Sequence, residues 1–180
     1  LFPYTTLFRS WLDLMSKDGW IAREQILGAE AISRVPMEFV VQYPSVGNPP
    51  TLFLPLLEIA EASDEASRNF LLQAWPRLVK WFSWIVENHK GTLSGTFKWT
   101  SRTASLEKLN PLTLDSGLDD YPRASHPTED EYHLDIRCWI ALAATAMEAI
   151  GTSLNKPKSQ IQIYIKLARE LTDKIGRAHV

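Results

Sequence analysis

The spacing of apolar residues between positions 64 and 88 limits the fold of this 180-residue chain more than any other feature. Large apolar side chains recur there at intervals of three and four residues, the repeat that gathers them on one face of an α-helix. Asp64 can cap the start of this helix, and Pro76 predicts a bend or break inside it. A stripe of this length must pack against other elements, so a helical core is expected. The stripe consists of Phe70, Leu71, Trp75, Leu78, Val79, Phe82 and Ile85.

The segments on both sides also predict helices. Asn48 followed by Pro49 is typical of a helix start and predicts a helix that runs to about Ala62. Pro55 lies inside this stretch and should kink the helix or shift its start. Another helix is predicted after Pro157, with an apolar stripe formed by Ile161, Ile165, Leu167, Ala168 and Leu171.

A long apolar helix is predicted in the second half of the chain. Thr128 and Glu131 have the spacing of a capping box that opens it, and Gly151 is expected to end it. Cys138 lies on the apolar run, where a buried free thiol is the usual outcome. Because no segment shows the alternation of a strand, the sequence predicts an all-α fold.

Composition and charge restrict the partners. The chain is 45% hydrophobic and 22% charged, which is ordinary for a globular domain. Its formal charge of -2 indicates no basic surface for nucleic acid or anionic lipid. No apolar run approaches the roughly 20 residues of a membrane helix. Phosphate-loop, zinc and calcium motifs are missing from the sequence, so we expect no nucleic acid, no membrane contact from this segment, no metal and no cofactor.

The segment 116–127 (SGLDDYPRASHP) is the strongest site candidate. Gly117 permits an unusual backbone turn and Pro122 restricts the chain, so we expect a rigid loop rather than a helix. Loops of this kind often carry catalytic residues, and this one displays Asp119 and Asp120. The alternative is that the two aspartates form an Asx-turn or a helix cap.

Several blocks, in order along the chain, resemble the C-terminal catalytic domain of glycoside hydrolase family sixty-three, the processing alpha-glucosidases. The resemblance implies an inverting exo-alpha-glucosidase that removes the terminal alpha-1,2-linked glucose from the glucosylated N-glycan precursor. It implies a membrane-anchored parent in the endoplasmic reticulum lumen, and an (α/α)6 barrel of which about half would be present here. The blocks are 18–28 (DGWIAREQILG), 35–42 (VPMEFVVQ), 48–54 (NPPTLFL), 110–113 (NPLT), the loop 116–127 and 131–139 (EYHLDIRCW).

The resemblance also implies roles for the two aspartates of the loop. Hydrolysis with inversion needs a carboxylic acid that protonates the leaving oxygen and a carboxylate, roughly 6.5–9.5 Å away, that activates water. Matched to the family motif, Asp119 is the general acid and Asp120 a supporting acid that can bind a sugar hydroxyl. A neighbouring carboxylate raises the pKa of a carboxyl group, which keeps a proton available near neutrality. The family's general base lies on a part of the chain that this sequence does not reach, so the fragment alone is expected to be inactive.

Glu131 and Asp135 are the other supporting acids that the resemblance implies. They are four residues apart, as on one helix face, and the family pattern there is Glu-Arg-His-x-Asp, with Tyr132 in place of the arginine. The alternatives are the capping box for Glu131 and, for Asp135, a hydrogen bond or an ion pair with Arg137 or the loop. Support of the loop is favoured over proton transfer, and His133 is expected to be a packed, hydrogen-bonded residue.

Trp20, Arg23 and Glu24 form a cluster that the resemblance assigns to the glucose pocket. An indole can stack on the apolar face of a sugar, while an arginine and a glutamate can bridge its hydroxyls. Without the resemblance, the tryptophan would be a core residue and the charged pair solvated surface. Further substrate-binding candidates are Tyr121 and Arg123, with Gln42 and Asn48 as weaker ones.

Both ends of the chain differ from the family. Residues 1–10 (LFPYTTLFRS) and 175–180 (IGRAHV) match no part of it and read as in-frame translations of the adapter oligonucleotides of short-read sequencing. We therefore expect both ends to be adapter artefacts and residues 11–174 to be the fragment of the glycosidase domain. The alternative for the first segment is a natural amphipathic start, such as an edge strand.

Two other functions fit the same residues. One is a non-enzymatic helical scaffold or glycan-binding module in which the acidic loop is a structural turn. The other is a helical-barrel glycosidase of trehalase or glucoamylase type. An Asp119 that faces an open cleft beside Trp20 and Arg23 would favour the enzyme, and a cap on a convex surface would favour the module.

Overall fold

A computed structural model describes residues 4–62, 64–100, 114–118 and 130–175. Regular structure within these residues is helical, with one isolated antiparallel bridge between Lys90 and Phe97 and no strand. The predicted all-α class is therefore confirmed for this part of the chain, while the half barrel stays a prediction. The helices are α1 (Tyr4–Asp13), α2 (Gly28–Arg34), α3 (Met37–Val40), α4 (Phe53–Ala62), α5 (Glu65–Asn88), α6 (Leu134–Ser153) and α7 (Lys158–Ile175), with a 3-10 turn at Leu114–Ser116.

The apolar stripe between positions 64 and 88 forms α5, as predicted. Asp64 is its N-cap: one carboxylate oxygen accepts a hydrogen bond from the Ser67 hydroxyl at 2.6 Å, and the other accepts one from the Ser67 backbone N–H at 2.9 Å. These bonds lower the pKa of Asp64. The predicted break at Pro76 is wrong, because α5 runs through it. Trp75 and Leu78 are buried on either side, and their packing holds a turn that proline disfavours by about 3 kcal/mol.

α4 begins later than Asn48 and Pro49 predict. The Asn48 side chain does not cap it, because its oxygen accepts a hydrogen bond from Arg23 Nε at 3.2 Å and its amide donates one to the Arg23 carbonyl oxygen at 2.8 Å. The helix starts at Phe53. Pro55 therefore falls in the first turn, where the N–H that proline lacks would have no helical partner, and the shifted start is confirmed.

The start of α6 differs from the predicted capping box. The helix begins at Leu134, and His133 occupies the N-cap position without a side-chain capping bond. Glu131 thus precedes the helix, and its carboxylate faces the His133 ring instead. Thr128 lies outside the described residues.

The predicted stop of α6 at Gly151 is also wrong. Gly151 is buried inside the helix, where a Cβ would come within 3.0 Å of Ile161 and 3.1 Å of Trp75. Glycine suits this position because α5 and α7 approach α6 closely, and a larger residue would require Ile161 and Trp75 to shift. The helix ends at Ser153, and Asn155 then adopts the left-handed conformation, with φ of 55°, that is common after a helix C-terminus.

α6 is the central helix, since it packs against α4, α5 and α7. Its alanines Ala143, Ala144 and Ala146 are fully buried and permit short distances between helices. Cys138 is exposed, contrary to the prediction, because Ile136 and Ile140 take the buried face around it. The predicted last helix is confirmed as α7. Among the helices that the structure describes, none is long and apolar enough to span a membrane.

Candidate functional site

The acidic loop starts from a fixed turn. Asp115 is fully buried, and the hydroxyl of Ser116 accepts a hydrogen bond from the Leu118 backbone N–H at 3.0 Å. Gly117 has a φ of 70°, which confirms the unusual turn predicted for it. A Cβ added to Gly117 would lie 3.8 Å from the Pro49 ring, so the turn rests against the segment before α4.

The side chains that would do the chemistry follow directly after this turn. All four lie outside the described residues, and their roles stay predictions. They are Asp119, Asp120, Tyr121 and Arg123.

Pro49 lines a cavity of about 140 Å³ between α1, α5 and the segment before α4. Its walls include the indoles of Trp11, Trp81 and Trp84. A cavity of about 150 Å³ can hold a benzene molecule, so this one is close to the size of one unsubstituted six-membered ring. Trp81 is fixed by stacking on Phe53, with ring centroids 4.6 Å apart. Trp81 and Trp84 are packing residues, as their helical positions suggest, and they also form the wall of this tryptophan cavity.

Trp20 lies near the tryptophan cavity, and its N–H groups form hydrogen bonds that hold the surrounding chain. Its indole N–H donates a hydrogen bond to the Val46 carbonyl oxygen at 2.8 Å, and its backbone N–H donates one to the Ser16 hydroxyl at 3.1 Å. The preceding Gly19 has a φ of 97°, and a Cβ there would collide with the carbonyl oxygen of Lys80 in α5. Residues 16–20 are therefore held as a tight turn against α5.

Arg23 and Glu24 are tied to the two weaker candidates. The Asn48 side-chain oxygen accepts a hydrogen bond from Arg23 Nε at 3.2 Å. The Gln42 amide donates to the Glu24 carbonyl oxygen at 2.6 Å and accepts from the Glu24 backbone N–H at 2.9 Å. Arg23, Glu24 and Gln42 line a second cavity of about 150 Å³. Asn48 lines the tryptophan cavity, so the Arg23–Asn48 bond joins the two.

The acids at the start of α6 are connected by Trp99, which the sequence did not single out. Its indole N–H donates a hydrogen bond to Asp135 Oδ2 at 2.8 Å, and its backbone N–H donates one to His133 Nδ1 at 3.0 Å. Because Nδ1 accepts, neutral His133 carries its proton on Nε2. This nitrogen lies 3.6 Å from Glu131 Oε2. Glu131 and Asp135 are thus linked through His133 and Trp99, not by a shared helix face.

His133 is buried and hydrogen-bonded, as predicted. The alternative ion pair of Asp135 with Arg137 is not observed. Arg137 instead donates one hydrogen bond to the Gly95 carbonyl oxygen at 2.7 Å and another to that of Leu171 at 3.1 Å. Its guanidinium therefore joins α6 to α7.

His89 stands between the tryptophan cavity and the acids of α6. Its ring lies edge-on to Trp84 on one side and to Trp99 on the other, with centroid distances of 5.7 and 5.3 Å. Burial lowers the pKa of His89 to about 4, so the ring is neutral near pH 7. Trp84 in the cavity wall therefore contacts His89, and His89 contacts Trp99. The indole of Trp99 in turn donates a hydrogen bond to Asp135.

A larger open groove, of about 860 Å³, runs between α5 and α7. It is mainly apolar, and none of the described site candidates lines it. The tryptophan cavity is therefore the better candidate site, although it is smaller.

Comparison with known proteins gives the family. The model described as Glycosyl hydrolase family 63 C-terminal domain matches residues 4–180. This match includes residues 4–10 and 175–180, which were expected to match no part of the family, while their origin as adapter sequence stays a prediction. The chain is 54% identical over 157 residues to a mannosyl-oligosaccharide glucosidase of Arabidopsis thaliana, covering 81% of this chain and 18% of that protein. It is 46% identical over 175 residues to alpha-glucosidase 2 of the same plant, covering 91% of this chain and 22% of that protein.

A more distant relative is a probable mannosyl-oligosaccharide glucosidase of Schizosaccharomyces pombe. The identity is 31% over 193 residues, with 83% of this chain and 23% of the relative covered. The chain thus spans about a fifth of the length of these relatives. The resemblance seen in the sequence blocks is confirmed, and the chain belongs to glycosyl hydrolase family 63.

Proposed function

We propose that this chain is part of the catalytic domain of an inverting exo-alpha-glucosidase that removes the terminal alpha-1,2-linked glucose from the glucosylated precursor of N-linked glycans. Its substrate is then a glucosylated oligosaccharide, and its site of action the lumen of the endoplasmic reticulum, with a membrane-anchored parent. Membership of glycosyl hydrolase family 63 and the names of two of the relatives, both mannosyl-oligosaccharide glucosidases, support this function.

The proximity of Gly117 to Pro49, whose ring lies 3.8 Å from the position that a Cβ of residue 117 would take, is the observation that carries the proposal. Asp119 follows Gly117 by two residues, and Pro49 lines the tryptophan cavity. A general acid must stand within hydrogen-bonding reach of the oxygen that it protonates. A rigid turn against the rim of a ring-sized aromatic cavity can hold a carboxylic acid over a bound pyranose.

Asp119 is the general acid in this proposal, and Asp120 supports it. A second carboxylate must activate water on the opposite face of the sugar, and we assign that role to no residue of this chain. The isolated chain is therefore inactive on alpha-glucosides, since loss of the base removes a contribution of roughly 100- to 10,000-fold. Glucose release by the purified chain, measured with a coupled enzymatic assay, would contradict this assignment.

A grafting experiment tests the function directly. Residues 11–174 replace the matching segment of the Arabidopsis mannosyl-oligosaccharide glucosidase, with which the chain shares 54% identity. The grafted enzyme should release glucose from an alpha-1,2-linked glucosyl oligosaccharide. Asp119→Asn should lower kcat on this substrate by roughly 100- to 10,000-fold, because the leaving oxygen is no longer protonated.

Two comparisons isolate the acid role. Alpha-glucosyl fluoride has a leaving group that needs little protonation, so Asp119→Asn should slow its hydrolysis far less than that of the oligosaccharide. Asp120→Asn is the matched control and should lower the oligosaccharide rate by a smaller factor than Asp119→Asn does, because the general acid is still present. Full oligosaccharide activity in the Asp119→Asn graft would refute the proposed general acid.

A further inference from the structure

We infer that Trp99 is a positioning residue for Asp135, an inference that rests on the function proposed above. The indole N–H of Trp99 donates to Asp135 Oδ2 at 2.8 Å, and the Trp99 backbone N–H donates to His133 Nδ1 at 3.0 Å. One residue thus fixes both the carboxylate of Asp135 and the ring that faces Glu131.

Trp99 can orient the Asp135 carboxylate because its own side chain is immobilised. Its side chain is 0% exposed. On one side of it, the Lys98 backbone N–H donates to the His89 carbonyl oxygen at 2.8 Å, and the His133 backbone N–H donates to the Phe97 carbonyl oxygen at 2.8 Å. The segment that carries the indole is therefore bonded both to the end of α5 and to the residue before α6.

Asp135 is partly exposed in the first turn of α6, where an aspartate can adopt several side-chain rotamers. A hydrogen bond to a charged carboxylate is roughly twice as strong as one between neutral groups, so the indole selects one of these rotamers. The selected rotamer directs the carboxylate to the indole of Trp99, whose backbone N–H is bonded to His133. Phenylalanine could fill most of the Trp99 site, but it has no N–H to donate.

Trp99→Phe is the direct test in the 180-residue chain, with Trp75→Phe as the matched control. Both changes remove a buried indole, but Trp75 packs edge-on to Tyr164 in the core between α5 and α7. The pKa of Asp135, followed by carbon NMR during a pH titration, should rise in Trp99→Phe, because a bond to the charged form is lost. It should stay unchanged in Trp75→Phe. An Asp135 titration that Trp99→Phe leaves unmoved would overturn the inference.

Kinetics in the grafted enzyme give a second readout. A misplacement of about 1 Å can lower a rate by roughly 100-fold, so Trp99→Phe should reduce kcat by about 10- to 100-fold with little change in KM. If Trp99 acts through Asp135, the double variant with Asp135→Asn should be no slower than Asp135→Asn alone. A further loss in the double variant would show that Trp99 acts by another route.

The reciprocal variant covers the case in which Trp99→Phe does not fold. Asp135→Ala changes a partly exposed residue, and it should shift the Trp99 indole N–H resonance and speed its hydrogen exchange. An unchanged indole resonance would contradict the contact. The NMR experiments need no substrate. They can therefore contradict the Trp99–Asp135 contact while the grafted enzyme still hydrolyses glucosides, or support the contact while the grafted enzyme is inactive. The two proposals therefore fail separately.

Discussion

The imidazole of His89 lies edge-on to the indole of Trp99, with ring centroids 5.3 Å apart and an angle of 84° between the planes. His89 Nδ1 is 3.0 Å from the Ile85 carbonyl oxygen, and Nε2 has no hydrogen-bond partner among the described residues. A charged imidazole cannot be solvated in this aromatic setting. Burial therefore lowers the pKa of His89 to about 4, from 6.5 for a free side chain.

The first prediction concerns the pH dependence of stability. The pKa of His89 is 6.5 in the unfolded chain and about 4 in the folded chain. Between these two pH values the unfolded state therefore binds more protons than the folded state. The contribution of His89 to the free energy of unfolding should be fully present well above pH 6.5 and fall as the pH is lowered through this window. The loss reaches on the order of 3 kcal/mol. Urea unfolding at pH 7.5 and pH 4.5 measures it.

The control for this prediction is His89→Phe, which keeps a ring and removes the titration. This variant should lose less stability than the natural sequence between the two pH values. The lowered pKa of Asp64 affects stability only at lower pH, because that group is ionised in both states above its ordinary value of 3.8. Equal losses in the two proteins would contradict the role of His89.

The second prediction separates steric overlap from backbone strain at two glycines. Gly19 and Gly28 both have positive φ, of 97° and 85°. A Cβ at Gly19 collides with the Lys80 carbonyl, whereas a Cβ at Gly28 meets nothing within 4 Å. Gly28→Ala should destabilise the chain by about 1–2 kcal/mol, from strain alone. Gly19→Ala should exceed this by at least about 1 kcal/mol, because α5 and the 16–20 turn must move apart.

Chemical denaturation of the two variants gives the comparison. Similar losses would mean that the turn is not pressed against α5. A larger loss for Gly28→Ala would contradict the described packing.

The third prediction concerns the two ends of the chain. In α1, Phe8 is buried and its ring lies 6.4 Å from that of Phe70. Any suitable apolar ring can cover Phe70 in this way, because the hydrophobic effect is non-directional. We expect the codons of residues 1–10 and 175–180 to be those of the adapter oligonucleotides. The measurement is to sequence the source DNA by a method that adds no adapter. If the source DNA itself contains the codons of residues 1–10 and 175–180, the prediction is contradicted.

Local sequence signals predicted the part of the fold that depends on local interactions. The cap at Asp64 and the apolar stripe of α5 involve residues close in the chain. Gly151 was misread because its role depends on Ile161 and Trp75, which tertiary packing brings against it. The α4 start that Asn48 and Pro49 predict is wrong for the same reason, since Asn48 bonds to a residue 25 positions away, whereas the shift predicted from Pro55 is confirmed.

The family motif names Arg23, Glu24 and Asp135 as site residues, and their roles stay predictions. Their partners were not predictable. Trp99 and Asp135 are separated by 36 positions, and no local pattern links an indole to a carboxylate at that distance. One sequence feature could have drawn attention to Trp99: it is a large aromatic residue in a segment without helical periodicity, where burial needs a tertiary reason.

The last prediction tests the tryptophan cavity as the sugar pocket. A Cβ at Gly47 would come within 2.8 Å of the outer edge of the Trp84 indole. In Gly47→Ala this ring should tilt into the cavity, because a side-chain end moves more easily than the backbone. The grafted enzyme should then show a KM raised by roughly 10-fold, about 1.4 kcal/mol of binding, with its melting temperature little changed. Gly28→Ala, which fills open space, should leave KM unaltered. If Gly47→Ala moves the Trp84 resonances but not KM, the sugar does not bind in this cavity.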